Sequence, residues 1–394
     1  MIISTNISIL IYLLLAVGLV AGIVYGVWQW RRTSRLKRFI EVDEYRRGYL
    51  PEEQLPPVTI LVYAHNDADY LAEFLPPLLE QDYPCYEVIV TDDSSLDNTK
   101  DVLGEMLTRY SNLRASFVPA GSRALSRKKL SIMLGVKAAK HDIIVTTTAN
   151  CCVPGSDWLR HIARNFTPGT DVVLAYSRYD YARDRMRGRR HRVFDTVSTA
   201  VQYMGSAIEG KPYRGIGDNL AYRKQVFFST NGFANTLELK WGEDDIYVSE
   251  IARADNTRVE LAVESIVAAC YYDIRRAHHV LKTRRNFTSR QVSTRAPFVV
   301  QGFMSALFWL ATLCPVAAIA LEWQNVVVIA AAVVQLLLVW TLAATAIRKQ
   351  CALFQAPKLT FTAPWHALWR PLVNIMGYLR GLGSKKSQYT SIID

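Results

Sequence analysis

Residues 142–154 read Asp-Ile-Ile-Val-Thr-Thr-Thr-Ala-Asn-Cys-Cys-Val-Pro. Ile143, Ile144 and Val145 form a short apolar run that passes into Thr146, Thr147 and Thr148. That composition suits a strand buried on both faces of a parallel sheet. The run stops at Ala149, Asn150, Cys151 and Cys152, with Pro154 soon after. In open α/β sheets, ligands sit beyond the carboxyl ends of the strands. Residues 148–152 are therefore expected to face a site, yet they contain no carboxylate.

Working outward, residues 58–63 (VTILVY) and 86–91 (YEVIVT) read as two more buried strands. They end at Ala64-His65-Asn66-Asp67 and at Asp92-Asp93-Ser94-Ser95. Residues 69–79, 97–110 and 128–140 read as helices, the second with Asp97 or Asn98 as N-cap. A further strand is expected near 115–118. Strands alternating with helices imply right-handed βαβ units. The fold class expected is α/β, a Rossmann-like and mostly parallel sheet with helices on both faces. No internal repeat or low-complexity tract interrupts it.

Half of the 394 residues are hydrophobic, which is high for a soluble protein and low for a polytopic transporter. The six cysteines lack the paired spacing of a zinc site and read as reduced, which fits a cytosolic catalytic part. A net charge of +11 is compatible with nucleic acid, anionic lipid or an anionic small ligand. Positive charges flanking apolar spans account for it, so no nucleic-acid partner is expected.

Residues 7–28 carry no charge and are long enough to span a bilayer. Trp28 and Trp30 follow as interfacial aromatics, then Arg31, Arg32, Arg35, Lys37 and Arg38. The segment reads as an uncleaved anchor whose positive flank lies in the cytoplasm. Two further uncharged spans are expected at 298–321 and 326–347, with Arg348 and Lys349 returning the chain to the cytoplasm. Residues 364–382 carry Arg370, Arg380 and two prolines and read as an interfacial amphipathic helix. The expected layout is an anchor at 1–30, a basic juxtamembrane linker at 31–56 and a cytoplasmic catalytic domain at 57–290. Two transmembrane helices at 298–347 and an interfacial helix with a polar tail at 348–394 complete it. The layout suggests a bacterial inner membrane, with membrane lipid as a partner. Three spans without an intramembrane charge offer a transporter no polar path.

The segments VTILVYAHND, LLEQDYPCYEVIVTDDSSLDNT and LSRKKLSIMLGVKAAKHDIIVTTTANC resemble the nucleotide half of glycosyltransferase family 2. GIGDNLAYRKQVFFSTNGF and GEDDIYVSEIA resemble its acceptor half. The resemblance runs from about residue 57 to residue 290 and rests on five segments in order. It implies a GT-A nucleotide-sugar-binding domain and an inverting transfer.

Such a transfer needs the nucleotide held, the diphosphate leaving group stabilised and the acceptor hydroxyl deprotonated. By resemblance, Asp93 accepts from the base, Asp67 reaches base or ribose, and Tyr63 and Ala64 line the same pocket. Lys128, or Lys129 in its place, approaches the ribose or phosphates. The family carries Asp-x-Asp at the end of the strand quoted first, where its last carboxylate holds Mg²⁺ or Mn²⁺. Here the matching residues are Thr148 and Asn150. A neutral amide oxygen is a weaker ligand for a hard dication, so metal use stays open. Asp218, where relatives often carry arginine before the asparagine, reads as a second loss from the anion site. Lys282, Arg284, Arg285 and Arg290 either bind diphosphate, Arg284 and Arg285 foremost, or flank the membrane. His278 and His279 read as a solvated pair. Asp244 is the expected base and Asp245 the second choice, with a helix cap as its alternative role. Asn219 is expected to support donor and acceptor. Trp241 is either a sugar-stacking platform or a core residue.

The resulting expectation is a membrane-bound inverting glycosyltransferase. It takes a nucleotide-sugar, UDP-linked, to a lipid-linked or polysaccharide acceptor, alongside other enzymes of a glycan assembly pathway. The alternative is a non-catalytic relative that binds nucleotide or a partner enzyme.

Overall fold

The computed structural model describes residues 2–41, 48–119 and 126–383. Residues 42–47 of the expected linker and the polar tail beyond residue 383 lie outside the described residues. In chain order the elements begin with helix α1 (Ile2–Glu41), strand β1 (Val58–Ala64), α2 (Ala68–Leu79), β2 (Tyr86–Asp92), α3 (Thr99–Arg109) and β3 (Leu113–Phe117). Helix α4 (Arg127–Ala138), β4 (Ile143–Thr148), β5 (Cys151–Cys152), α5 (Trp158–Ala163), β6 (Val172–Ala175) and β7 (Ser177–Tyr179) follow. Then come α6 (Arg189–Ile208), β8 (Leu220–Arg223), α7 (Lys224–Ser229), α8 (Asp245–Ile251), β9 (Thr257–Glu260) and β10 (Val267–Ala269). Four helices close the chain: α9 (Ile274–Thr288), α10 (Ala296–Leu321), α11 (Val326–Leu353) and α12 (Ala363–Gly383).

The chain divides into two compact units. The larger comprises residues 42–187, 203–295 and 377–394. Its seven-stranded sheet has the order β3-β2-β1-β4-β8-β6-β9. The first four strands are mutually parallel, and Val58, Ile60, Val88, Val90, Ile143 and Val145 on them are fully buried. That is why these strands read as unbroken apolar runs rather than alternating ones. Strand β8 runs antiparallel to both β4 and β6, so the sheet is mixed beyond its four parallel strands. A second sheet, β5-β10-β7, pairs the residues just past the end of β4 with β10 and, through it, with β7. Gly135 on α4 lets that helix lie close on the sheet, because a Cβ there would sit 2.1 Å from Leu61 Cδ1.

The smaller unit comprises residues 1–41, 188–202 and 296–376. Residues 188–202 thus group with the apolar helices, inside the 57–290 range expected for the catalytic domain. Helices α1, α10 and α11 are each long and apolar enough to cross a membrane. Gly18, Gly22 and Gly26 recur every four residues along α1. A Cβ at Gly22 would lie 2.5 Å from Val339 Cγ2 of α11, so the small residues permit close helix packing. Ala21, Tyr25, Phe308, Ala311, Val339 and Ala343 form the contact core. Arg370 of α12 is buried and donates to Asp195 Oδ1 of α6 at 2.7 Å and to Thr199 Oγ1 at 3.2 Å. On the same helix Trp365 and Trp369 are exposed, the pattern of an amphipathic surface helix.

Candidate active site

The ends of β1 and β2 divide their polar residues between two tasks. Asp93 Oδ2 accepts from the Tyr63 hydroxyl at 3.0 Å, and its Oδ1 accepts from Arg127 Nε at 2.7 Å. Asp92 instead accepts from the Ser95 N–H at 3.1 Å and from the Ser95 hydroxyl, closing the turn. That turn holds Ser94 at φ +51° and faces Asn66 at φ +54°. Asn66 donates its N–H to Ser95 Oγ at 2.8 Å and accepts from the Leu96 N–H at 2.7 Å, locking the two strand ends together. Asp67 accepts from the His65 N–H at 2.9 Å, and burial raises its carboxyl above the ordinary range. Ala64 does not line the pocket: its side chain is in the core, and its carbonyl accepts from the Asp93 N–H at 2.9 Å. Its neighbour Tyr63 faces the pocket because side chains alternate along a strand.

The two lysines at the start of α4 part company for the same geometric reason, about 100° per residue on a helix. Lys128 lines the pocket, with its Nζ 3.2 Å from Glu243 Oε1 and 5.2 Å from the Tyr63 ring centre. Lys129 cannot replace it, being fully buried. Its Nζ donates to the carbonyls of Thr236 at 2.5 Å and Leu239 at 3.1 Å, and burial lowers its pKa to about 8.

At the end of β4 the Thr148 hydroxyl donates to Asn150 Oδ1 at 2.8 Å. Asn150 Nδ2 donates to the Cys270 carbonyl at 2.8 Å, which fixes the amide with its oxygen towards Thr148. Asp218 Oδ1 lies 3.4 Å from Thr148 Oγ1. Burial, with the nearby Asp244 charge, raises the Asp218 carboxyl above its ordinary range. The oxygens of Thr148, Asn150 and Asp218 are hard donors of the kind that suit Mg²⁺ or Mn²⁺, with the Cys151 sulfur 3.1 Å from Thr148 Oγ1 beside them. Among the described residues, no three His, Cys, Asp or Glu side chains converge to hold a metal ion.

The Gly242-Glu243-Asp244-Asp245 turn completes the site. Gly242 has φ +106°, a conformation that favours glycine. Asp244 Oδ2 accepts from the Gly217 N–H at 2.9 Å, and its Oδ1 accepts from the Asp245 N–H at 2.6 Å and from Arg284. Burial opposes the charge on Asp244, but Arg284, Lys128 and these N–H groups hold its carboxyl well below the usual range. Asp245 behaves oppositely: burial and the adjacent Asp244 charge push it up to about 6. Its oxygens are engaged by the Ile246 N–H at 2.9 Å, by the Thr288 hydroxyl and by Arg214 at 3.5 Å. Glu243 Oε1 is shared by Lys128 and Arg284, the latter at 3.3 Å.

An open pocket of about 370 Å³ lies over β1, β4 and β8 and is walled by Tyr63, Lys128, Thr148, Gly217 and Glu243. Of the residues expected from sequence, Tyr63, Lys128 and Thr148 line it, while Asp93 is bonded to Tyr63 and Asp244 to the lining Gly217. Asn219 supports it only from behind: its amide donates to Tyr176 O at 2.8 Å and Ser265 O at 2.7 Å, and accepts from Trp158 Nε1. Trp241 packs edge-to-face on Phe287 at 5.8 Å. Arg284 is neutralised by Asp244 and Glu243, and burial, with the Arg285 charge as the smaller cause, lowers the pKa of Arg214. Arg290 lies over the Tyr378 ring at 4.4 Å. His278 Nδ1 is 3.1 Å from the Tyr179 hydroxyl. Sequence reasoning missed Arg127 and Glu243. The only available signal was their position beside named motif residues, in Ser-Arg-Lys-Lys and Gly-Glu-Asp-Asp.

The sequence model of glycosyl transferase family 21 matches residues 13–388. Glycosyltransferase AglE of Haloferax volcanii is 24% identical over 186 residues, 46% of this chain and 58% of that protein. A beta-monoglucosyldiacylglycerol synthase of Nostoc sp. is 32% identical over 124 residues, 30% of this chain and 26% of that protein. The chain thus spans little more than half the length of these curated relatives, or less. A solved mannosyltransferase, PcManGT of Pyrobaculum calidifontis in complex with GDP-Man and Mn²⁺, superposes with a TM-score of 0.54. It is 19% identical, and the match covers 94% of this chain and 99% of that one. At that identity the likeness concerns the fold, which is of the GT-A type.

Proposed function

The chain belongs to glycosyl transferase family 21, and from that premise we propose an inverting transfer of a sugar from a UDP-linked donor to a lipid or lipid-linked hydroxyl. The observation that carries this reading is that Tyr63, Lys128 and Glu243 wall one pocket, with Asp93 bonded to Tyr63 and Asp244 to the pocket-lining Gly217. Asp93, oriented by Tyr63 and Arg127, accepts from the N–H of the base. The ammonium of Lys128 faces the leaving diphosphate as its charge develops. Asp244, ionised and at the pocket edge beside Gly217, accepts the proton of the attacking hydroxyl. Both carboxylates are engaged, but Asp244 is held by the pocket-lining Gly217, whereas Asp245 has the greater proton affinity and is turned to Thr288 and Arg214, which do not line the pocket, so it is a positioning residue. A Mg²⁺ or Mn²⁺ at the oxygen donors closing β4 would add neutralisation of the diphosphate.

The three apolar helices support membrane association, and the basic segment after residue 30 supports a cytoplasmic catalytic side. A lipid acceptor accords with that placement and with the diacylglycerol named for one relative. The test is turnover by the full chain in nanodiscs, over a panel of UDP- and GDP-sugars with diacylglycerol and polyprenyl-phosphate acceptors. Product must form with the natural chain and fall at least about a thousandfold with Asp244→Asn, the weight of a lost base and more. Nucleotide binding without turnover on any pair would favour the non-catalytic alternative.

A further inference from the structure

Two departures noted in the sequence are brought to one point by the sheet. Strand β8 pairs antiparallel with β4, with Val145 opposite Ala221 and Thr146 opposite Leu220. Just before β8 the chain turns, the Asn219 N–H donating to Ile216 O at 3.1 Å, and this turn lies over the end of β4, with the Thr146 hydroxyl donating to Gly217 O at 3.0 Å. The turn brings Asp218 Oδ1 to 3.4 Å from Thr148 Oγ1. A carboxylate on residue 218 therefore reaches the space that a carboxylate on residue 148 would fill.

The surroundings are those of a ligand site. Around the Thr148 hydroxyl lie Asn150 Oδ1 at 2.8 Å, Cys151 Sγ at 3.1 Å and Asp218 Oδ1 at 3.4 Å, so a cation bound to Thr148 and Asp218 would replace the weakest of these contacts. The Asn150 nitrogen is turned away to Cys270 O. Asp218 Oδ2 is held by the Ser177 hydroxyl at 3.3 Å, which sets the carboxylate plane. A second observation is independent of these contacts. Glu243 is 5% exposed and walls the same pocket, and its Oε2 has no hydrogen-bond partner.

We propose that Asp218 stands in for the carboxylate missing from β4 and, with Thr148, forms half of a Mg²⁺ or Mn²⁺ site completed by the donor's diphosphate. The proposal rests on the nucleotide-sugar reading. One carboxylate and one hydroxyl cannot hold a hard dication against its hydration shell, whereas one carboxylate plus phosphate oxygens is an ordinary arrangement for Mg²⁺. Cation and nucleotide therefore bind together or weakly. The exchange also accounts for the negative charge at a position where the sequence resemblance expects a positive one.

The experiment is calorimetric titration of the full chain in nanodiscs with UDP, and separately with GDP, in Mn²⁺ or in EDTA. Paramagnetic resonance of Mn²⁺ is followed in parallel. Mn²⁺ alone should show no saturable signal, and Mn²⁺ should tighten nucleotide binding about tenfold or more, the weight of one charged contact. Asp218→Asn should abolish that gain and the broadening of bound Mn²⁺, while leaving affinity in EDTA intact. Asp218→Asn combined with Thr148→Asp should restore both, which also shows that the single variant folds. Retention of the full gain by Asp218→Asn, or nucleotide binding by the natural chain that ignores Mn²⁺, overturns the proposal alone. Absence of any UDP or GDP binding under both conditions overturns it together with the nucleotide-sugar reading.

Discussion

Replacing Arg284 by methionine removes the cation from a buried cluster while keeping much of its aliphatic stem. In the natural protein its side chain is 14% exposed and faces Asp244 and Glu243, at 10% and 2%. One such pair at about 4 Å in an effective dielectric of about 20 is worth roughly 4 kcal/mol. Part of this survives the substitution. Glu243 keeps Lys128 at 3.2 Å, and Asp244 keeps the N–H groups of Gly217 at 2.9 Å and Asp245 at 2.6 Å. The expected loss is therefore about 3 kcal/mol, the lower edge for breaking a buried pair. With a urea slope of about 2–3 kcal/mol per molar, the unfolding midpoint falls by about 1–1.5 M at pH 7.5. Tryptophan fluorescence of the full chain in micelles reads it. The pH dependence has a definite sign. The Asp244 carboxyl is depressed in the native protein, so its contribution is present above the ordinary carboxylate range and disappears as pH falls through its folded value. The gap between natural and variant chains should accordingly narrow below pH about 4. The double variant with Asp244→Asn should be less unstable than the sum of the singles by about 1–2 kcal/mol. A single variant within about 0.5 kcal/mol of the natural chain, or an additive cycle, would refute the electrostatic account of this cluster.

Asp93→Asn forfeits the ion pair with Arg127 and should weaken UDP binding about 10- to 100-fold by calorimetry, with little change in melting temperature. The Asp245 carboxyl is raised to about 6, so its stabilising contribution is present below its unfolded pKa and lost as pH rises through 6. The stability of Asp245→Asn relative to the natural chain should thus shift by about 2 kcal/mol between pH 4 and 8, in urea melts at each pH. Gly22→Leu should lower the melting temperature in micelles by several degrees, because even a Cβ there meets Val339 Cγ2 at 2.5 Å. Gly104→Ala, on α3 with nothing within 4 Å of its Cβ position, should raise stability by about 0.5–1 kcal/mol.

The parallel half of the sheet was legible because its physics is local. Strands buried on both faces read as apolar runs, and β1, β2 and β4 lie within one residue of their expected positions. Polar residues just past such strands have to face a ligand or close a turn, which brought out Asp93 and Asp92 together without dividing their roles. That division depends on Ser95 and Arg127, which side-chain contacts alone reveal. The Lys128 and Lys129 assignment hinges on a single helical step that boundary uncertainty blurs. The role of Asp218 was hidden more deeply. It follows from β8 running antiparallel beside β4, a pairing between residues some seventy apart that no local pattern encodes. For Arg284 the sequence offers a diphosphate contact or a membrane-flanking charge and no ion pair, because its partners Asp244 and Glu243 lie about forty residues away.

The opposed lysines at the head of α4 bear on which sequence changes this protein tolerates. Lys128 reaches Glu243, while Lys129 grips the carbonyls of Thr236 and Leu239, all in one segment more than a hundred residues downstream. Inserting or deleting one residue in the first turn of α4 rotates both side chains by about 100°. A charge then enters the core as another leaves the pocket, and the Glu243-Asp244 turn loses its anchor. Drift along this lineage is therefore expected to spare the length of that turn even where its residue types change, and grafts between relatives should be joined outside it.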